Sequence, residues 1–213
     1  MSNISRYVNG HVLRLYAERT ELQTKIAQVL GGLSEQDFAD FDKFAERVDK
    51  LSSVASNHNC HLYVDAEQTF IQAAIESFGQ QMTHKLNVGG RALVMNGYQC
   101  YLKRMAKVIP MEVRASHEYD YSLGVKLIRG AYMNEEREIA AKAGLESPVW
   151  ESLEETHACY NANMQHIIGK MRPKDLLLVA SHNQNSCELA KDLAIKRDLV
   201  KNVRFGQLKG FSD

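Results

Sequence analysis

The chain has 213 residues and a mass of 24.1 kDa, with 26 Lys+Arg balancing 26 Asp+Glu and a pI near 7.1. Hydrophobic residues make up 45% and charged residues 24%, the proportions of a globular chain with a sizeable core. The balanced charge excludes a basic nucleic-acid or polybasic membrane-surface protein, and no apolar run approaches the ~18 residues a transmembrane helix needs.

Residues 1–30 are polar and helical in pattern, with neither the apolar core of a signal peptide nor the Ser/Arg bias of a transit peptide. Ser34–Ser56 also reads as a helix, and Ser34-Glu35-Gln36-Asp37 resembles a capping box. Five short apolar runs follow as strands: His61–Val64, Arg91–Met95, Gly124–Ile128, Leu176–Ala180 and Val203–Leu208. Between them lie helical stretches. Thr69–Leu86 is capped by Thr69 and carries Phe70, Ala73, Ala74 and Phe78 on one side. Trp150–Met171 has Leu153, Tyr160, Met164 and Ile167 on one side, and Ser186–Leu199 is capped by Ser186. Pro110, Pro148 and Pro173 fall between elements. Glu135-Glu136-Arg137-Glu138 reads as a solvated helix start, and Met105, Met111, Met164 and Met171 as core. Cys60, Cys100, Cys159 and Cys187 form no CxxC pair and read as reduced thiols of an intracellular chain. Phe205–Asp213 stops just after a strand-like run and a turn, which reads as a domain cut short.

Strands alternating with helices imply βαβ units and a parallel sheet, open or closed. Four of the five runs end in polar clusters: Asp65-Ala66-Glu67-Gln68, Asn96-Gly97-Tyr98-Gln99, Arg129-Gly130-Ala131-Tyr132 and Ser181-His182-Asn183. The fifth holds Gln207 inside its run. C-terminal strand ends of a parallel sheet all face one way, so these side chains converge on one face. Alternation puts Lys126 on one side of its strand and Arg129 on the other. A cation turned inward needs a partner, whether Asp65, a ligand phosphate or an electron-rich cofactor. Gly130 serves either a plain turn or a close ligand approach. No second ligand stands near His182 at metal spacing, so no metal is expected.

In this order, the segments Asp65–Phe70, Tyr98–Lys103, Lys126–Tyr132, Ala180–Asn183 and Phe205–Leu208 resemble the proline dehydrogenases, in the wording of the eukaryotic mitochondrial branch with its hydroxyproline dehydrogenases. The resemblance covers about Ser34 to Asp213. It implies a distorted (β/α)8 barrel, with about five of the eight strands in this chain. Residues 1–213 are then one partial catalytic domain, with residues 1–33 a helical segment of low resemblance. It further implies FAD as cofactor, L-proline or 4-hydroxyproline as substrate, Δ1-pyrroline-5-carboxylate as the product from proline, and a quinone as electron acceptor. Peripheral association with the matrix side of the mitochondrial inner membrane goes with that acceptor. The resemblance assigns Lys126 to the flavin N5 edge, and Gln99 to the isoalloxazine ring. Arg129, Gly130 and Ala131 run along the cofactor, and His182 and Asn183 contact it from the next strand. Asp65 joins the polar network, Tyr132 stands near the substrate pocket, and Leu208 lines the proline ring.

Two departures stand out. The sequence has no Arg-Arg pair to grip a substrate carboxylate, and its N-terminal segment offers no strand with the family's further Lys. Two other readings therefore stand beside the first. One is a barrel lyase or aldolase with Lys126 or Lys209 as a Schiff-base amine. The other is an inactive truncated homologue, a non-catalytic fragment that binds a full-length partner or nothing.

Overall fold

Mainly apolar runs bounded by turn residues form strands where at least one face is covered. Gly124–Ile128 and Leu176–Ala180 do so with the bounds their sequence suggests, as β3 and β4 of a computed structural model that describes residues 35–210. The chain divides into two compact units, residues 1–60 and 61–213.

In the first unit the described element is helix α1, Glu35–Asn57. Its end is a left-handed turn at Asn59 (φ 55°), after which the Cys60 amide donates to the Ala55 carbonyl at 2.9 Å. That pairing closes the last turn as a Schellman motif does. Ser34, the head of the expected capping box, lies outside the described residues.

The second unit runs β1 (Leu62–Val64), α2 (Thr69–Leu86), β2 (Val94–Gln99), α3 (Met105–Glu118), β3, α4 (Met133–Lys142), α5 (Leu153–Lys170), β4, α6 (Gln184–Lys196) and β5 (Val203–Gly206). All strand pairs are parallel, and their spatial order β1-β2-β3-β4-β5 is the sequence order. A doubly wound sheet reverses its order at a switch point and has helices on both faces. Here the order never reverses, and one face takes the helices. Tyr98, Val125, Leu127, Leu177, Val179 and Val203 pack there against α3, α5 and α6 in one continuous core. The other face has a small cluster of Ala92, Met95 and Leu176 with Leu178 beside it. This is the arc of a (β/α)8 barrel, helices outside and strand interior within.

Several local readings need correction. Strand β2 begins later than Arg91 and runs through Asn96-Gly97-Tyr98-Gln99, so that polar cluster belongs to the strand itself. Strand β5 ends at Gly206, which puts Gln207 and Leu208 beyond it. Pro110 sits inside α3, whose packing tolerates one lost backbone hydrogen bond. Met111 on that helix is exposed, whereas Met105, Met164 and Met171 are buried. Leu153 is exposed at the start of α5, while Tyr160, Met164 and Ile167 are core.

Helix α2 has the expected bounds but buries a different face. Phe70 is 70% exposed, and the buried residues are Gln72, Gly79, Met82 and Thr83. The sheet beneath is polar at this point: Asn96 donates to Thr83 Oγ1 at 3.0 Å and lies against Gly79. A hydrophobic stripe could not meet that surface, so the small and polar face packs inward.

The caps also differ. Thr69 is the first helical residue of α2 rather than its cap, and its amide and hydroxyl donate to the Glu136 carboxylate at 2.6 and 2.5 Å. Glu136 is therefore buried, not solvated, and its charge faces a helix N-terminus. Helix α5 opens on a full capping box between Ser152 and Glu155. Asn183, not Ser186, caps α6, accepting from the Ser186 amide at 3.0 Å.

Candidate active site

The C-terminal strand ends bring the polar residues to one edge, on two sides of β3. On the helix-free side Lys126 stands opposite Gly97 of β2 and Leu178 of β4. Its Nζ donates to Asp65 Oδ1 at 2.5 Å, although β2 separates the two strands. Gly97 makes that reach possible. A Cβ there would come within 2.8 Å of the Ala66 amide and 3.1 Å of the Val64 carbonyl, because the chain after β1 folds across β2 at this point. The Lys126 side chain is 25% exposed and Asp65 62%, so water screens the pair and the bridge is worth under ~1 kcal/mol. Lys126 also lies 6.0 Å from the Tyr63 ring centroid.

Beside this pair Gln99 is almost fully buried. Its Nε2 donates to the Glu67 carbonyl at 2.7 Å, and its Oε1 has no hydrogen-bond partner. Such an acceptor costs about 1–3 kcal/mol until something donates to it. The Tyr132 hydroxyl donates to Glu67 Oε2 at 2.6 Å, and this bond leads the influences holding its phenol above the usual tyrosine range. Glu67 is itself placed by Gln72, whose Oε1 accepts from the Glu67 amide at 2.7 Å. The buried Gln72 of α2 thereby organises the loop that carries Asp65 and Glu67.

On the helix side Arg129 lines a cavity of about 540 Å3 with Tyr101, Gly130, Ala131, Arg137, Glu151 and Thr156 among its walls. The guanidinium donates to His157 Nδ1 (2.8 Å), Ser181 Oγ (2.7 Å) and Ser186 Oγ (2.9 Å) and stacks 4.2 Å from the Tyr160 ring. Burial pushes its pKa down, yet a guanidinium stays charged in proteins. Gly130 has φ 138°, and a Cβ there would overlap the Tyr101 ring. Its glycine is thus demanded by backbone conformation and by packing, beyond either the turn or the ligand approach considered from sequence.

The remaining expected residues group around β4 and β5. His182 Nε2 accepts from the Leu208 amide at 3.2 Å, and Gln207 Nε2 donates to the Ser181 carbonyl at 3.3 Å. Leu208 is 65% exposed. Asn183 spends its Oδ1 on the α6 cap. Sequence reasoning did not assign site roles to Glu67, His157, Ser181 and Ser186. Glu67 and Ser181 lie inside quoted clusters and could have been singled out, whereas His157 carries no local signal. Among the described residues no group of three or more His, Cys, Asp or Glu is placed to hold a metal ion. No described helix is long and apolar enough to cross a membrane.

In chemical terms the edge offers a cation over an apolar strand face, a buried amide oxygen lacking a donor, and a second cation at a cavity wall. Similarity to known proteins follows the same lines. Human "Proline dehydrogenase 1, mitochondrial" is 32% identical over 195 residues, covering 89% of this chain and 32% of the human protein. The Xenopus laevis "Hydroxyproline dehydrogenase" is 29% identical over 187 residues, covering 85% of this chain and 40% of that one. The chain thus spans about a third of the length of the curated relatives it matches first. Among solved structures, proline utilization A (PutA) from Bdellovibrio bacteriovorus, inactivated by N-propargylglycine, superposes with a TM-score of 0.67 at 19% identity. The match covers 78% of this chain and 17% of the PutA chain. A Bradyrhizobium japonicum PutA mutant, D778Y, gives 0.66 at 23%, covering 78% and 17%. These likenesses carry the barrel fold. The family model described as proline dehydrogenase matches residues 3–213, nearly the whole length, so the chain belongs to the proline dehydrogenase family.

Proposed function

We propose that this chain forms the flavin-binding part of an FAD-dependent enzyme that oxidises L-proline to Δ1-pyrroline-5-carboxylate. The observation that carries this reading is the pairing, at one sheet edge, of Lys126 with a buried Gln99 whose Oε1 has no donor. A flavin ring offers one N–H donor and gains negative charge on reduction, and those two groups suit both properties. FAD, when bound, supplies the hydride acceptor. The chain's residues position and tune it: Lys126 favours the anionic reduced ring, Gln99 Oε1 accepts from its imide, and Arg129 at the cavity wall meets the phosphates. Asp65 holds Lys126 on the helix-free side, and Ala131 lines the cavity alongside Gly130. His182 and Asn183 flank the cofactor from β4, while Tyr132 and Leu208 border the proline ring. If proline binds as the free amine, no proton-abstracting base is needed, and positioning supplies most of the rate.

The reading extends to mitochondrial placement, which the relatives' names support, and to a quinone acceptor and peripheral attachment to the inner membrane, which only the resemblance implies. The test is the visible spectrum of the purified protein before and after anaerobic L-proline, then 4-hydroxyproline. A flavin band that bleaches supports the reading, and the faster substrate chooses between the two dehydrogenases. A protein that takes up no FAD overturns it and favours the non-catalytic homologue. A borohydride-trapped adduct at Lys126 or Lys209 would favour the Schiff-base reading.

A further inference from the structure

Arg129 is held entirely by neutral groups. His157, Ser181 and Ser186 accept its hydrogen bonds, Tyr160 stacks beneath it, and no carboxylate pairs with it among the described residues. A half-buried cation with no counter-ion keeps its charge for whatever anion enters the cavity it lines. The two serines are fixed by neighbours that do not titrate. Ser181 Oγ also accepts from the Asn183 amide at 3.0 Å, and Ser186 Oγ donates to Asn161 Oδ1 at 2.7 Å. His157 differs. Its Nδ1 accepts the Arg129 Nε–H only when bare, which requires the neutral imidazole with its proton on Nε2. Protonation would set two N–H donors and two cations against each other across 2.8 Å.

We propose that His157 is a positioning residue that sets the Arg129 guanidinium toward the phosphates of a bound dinucleotide, and that protonating His157 in mild acid releases the guanidinium and weakens that ligand. The proposal rests on the flavin-dinucleotide reading of this site. The titratable and charged groups around the pair come from several elements. Helix α5 contributes Glu154, Cys159 and Tyr160, the end of β2 gives Cys100 and Tyr101, and α6 gives Cys187. Glu135, Arg137 and Glu151 stand around the cavity. Burial, then the Arg129 charge, push the His157 pKa below the usual histidine range, and Glu154 partly opposes them. Burial raises the Tyr160, Cys100 and Cys187 values, so those three stay neutral in acid. Cys159, lowered to about 7 chiefly by its hydrogen bond with Cys100, changes charge above the acid window.

The experiment combines 15N-histidine NMR of the full chain with FAD and ADP titrations at about pH 5 and about pH 6.5. Expected are an Nε2–H tautomer for His157, a titration below the usual range, and an upward shift in Arg129→Gln. Affinity for both probes should fall about tenfold per pH unit below that titration. His157→Asn keeps a neutral acceptor near the Nδ1 position and should bind independently of pH, while His157→Leu should bind weakly at both values. An Nδ1–H tautomer, or His157→Asn keeping the wild-type pH slope, overturns the proposal. A wild type that takes up neither FAD nor ADP at either pH overturns the flavin reading and the ligand half of this proposal. The tautomer and the Arg129→Gln shift then decide the Arg129–His157 coupling by themselves.

Discussion

The Tyr132 hydroxyl donates to Glu67 Oε2 at 2.6 Å, which ties the segment after β3 to the segment after β1 across the mouth of the sheet. The carboxylate holds the phenol protonated above its ordinary range. Glu67→Gln should bring the Tyr132 titration back toward the ordinary value, read by alkaline difference spectroscopy with Tyr132→Phe as the assigning control. On the proposed proline oxidation, both variants should raise the KM for proline roughly tenfold, the size of one charged hydrogen bond. A phenol that titrates unchanged in Glu67→Gln would show that the bond does not persist in solution.

Glu112 of α3 makes stability depend on pH. Burial raises its pKa to about 7, only partly offset by the hydrogen bond from Gln80 at 2.5 Å. The folded state therefore holds this proton more tightly than the unfolded chain does. Stability should fall as pH rises from the ordinary glutamate range to about 7, and then level off, with a penalty on the order of 3 kcal/mol. Glu112→Gln should remove most of that slope, so urea midpoints at pH 5 and pH 8 should converge in the variant. Parallel slopes in variant and wild type would mean another group is responsible.

Asp175 anchors the start of β4 to the start of β3. Its carboxylate accepts from the Leu123 amide at 2.8 Å, the Arg172 amide at 2.7 Å and the Arg172 side chain at 3.1 Å. Asp175→Ala strands a buried amide and a guanidinium together and should cost about 3 kcal/mol in urea unfolding. Asp175→Asn keeps one acceptor and should cost roughly half that. Equal losses for the two variants would mean the charge alone matters.

On the proposed flavin reading, the Lys126–Asp65 bridge should matter to the cofactor far more than to folding. Asp65→Asn should change stability by less than ~1 kcal/mol, because water reaches the pair. Lys126→Met should lower the reduction potential of bound flavin and slow its bleaching by proline, while Lys126→Arg keeps most of both. Potentiometric titration of the loaded protein reads the difference, and an unchanged potential in Lys126→Met would remove Lys126 from the flavin edge.

The legible parts of the fold were those where local sequence and burial agree. Strands β3 and β4 are short apolar runs, broken only by Lys126 in β3 and packed on the helix layer through Val125, Leu127, Leu177 and Val179, so their bounds could be read directly. Strand β2 slid because Asn96, Gly97 and Gln99 look like a turn, whereas neighbouring strands satisfy their backbone and hold them extended. Helix α2 has the right period, but Asn96 and Thr83 settle by tertiary contact which side is buried. For the candidate site, the Lys126–Asp65 bridge was among the pairings open from sequence, since alternation turns either Lys126 or Arg129 inward and an inward cation needs a partner. The partners of Arg129 were not visible. Ser181 lies inside a quoted cluster, but His157 and Ser186 come from two separate helices, and a lone histidine or serine there carries no positional signal of such a role.

Lys126 and Arg129 lie three positions apart along β3 and just beyond its end, turned to opposite sides. A strand rises about 3.3 Å per residue, so their Cα atoms sit about 10 Å apart along the chain. No rotamer change can bring them onto one side, and the strand works as a rigid ruler. A ligand that touches both must wrap around the sheet rim near Gly130, so a flat, stiff molecule meets one charge or the other but not both. Point substitutions at these positions would tune the grip on a bent ligand. Only an inserted or deleted residue, which turns one charge to the other side, would change the shape that the rim accepts.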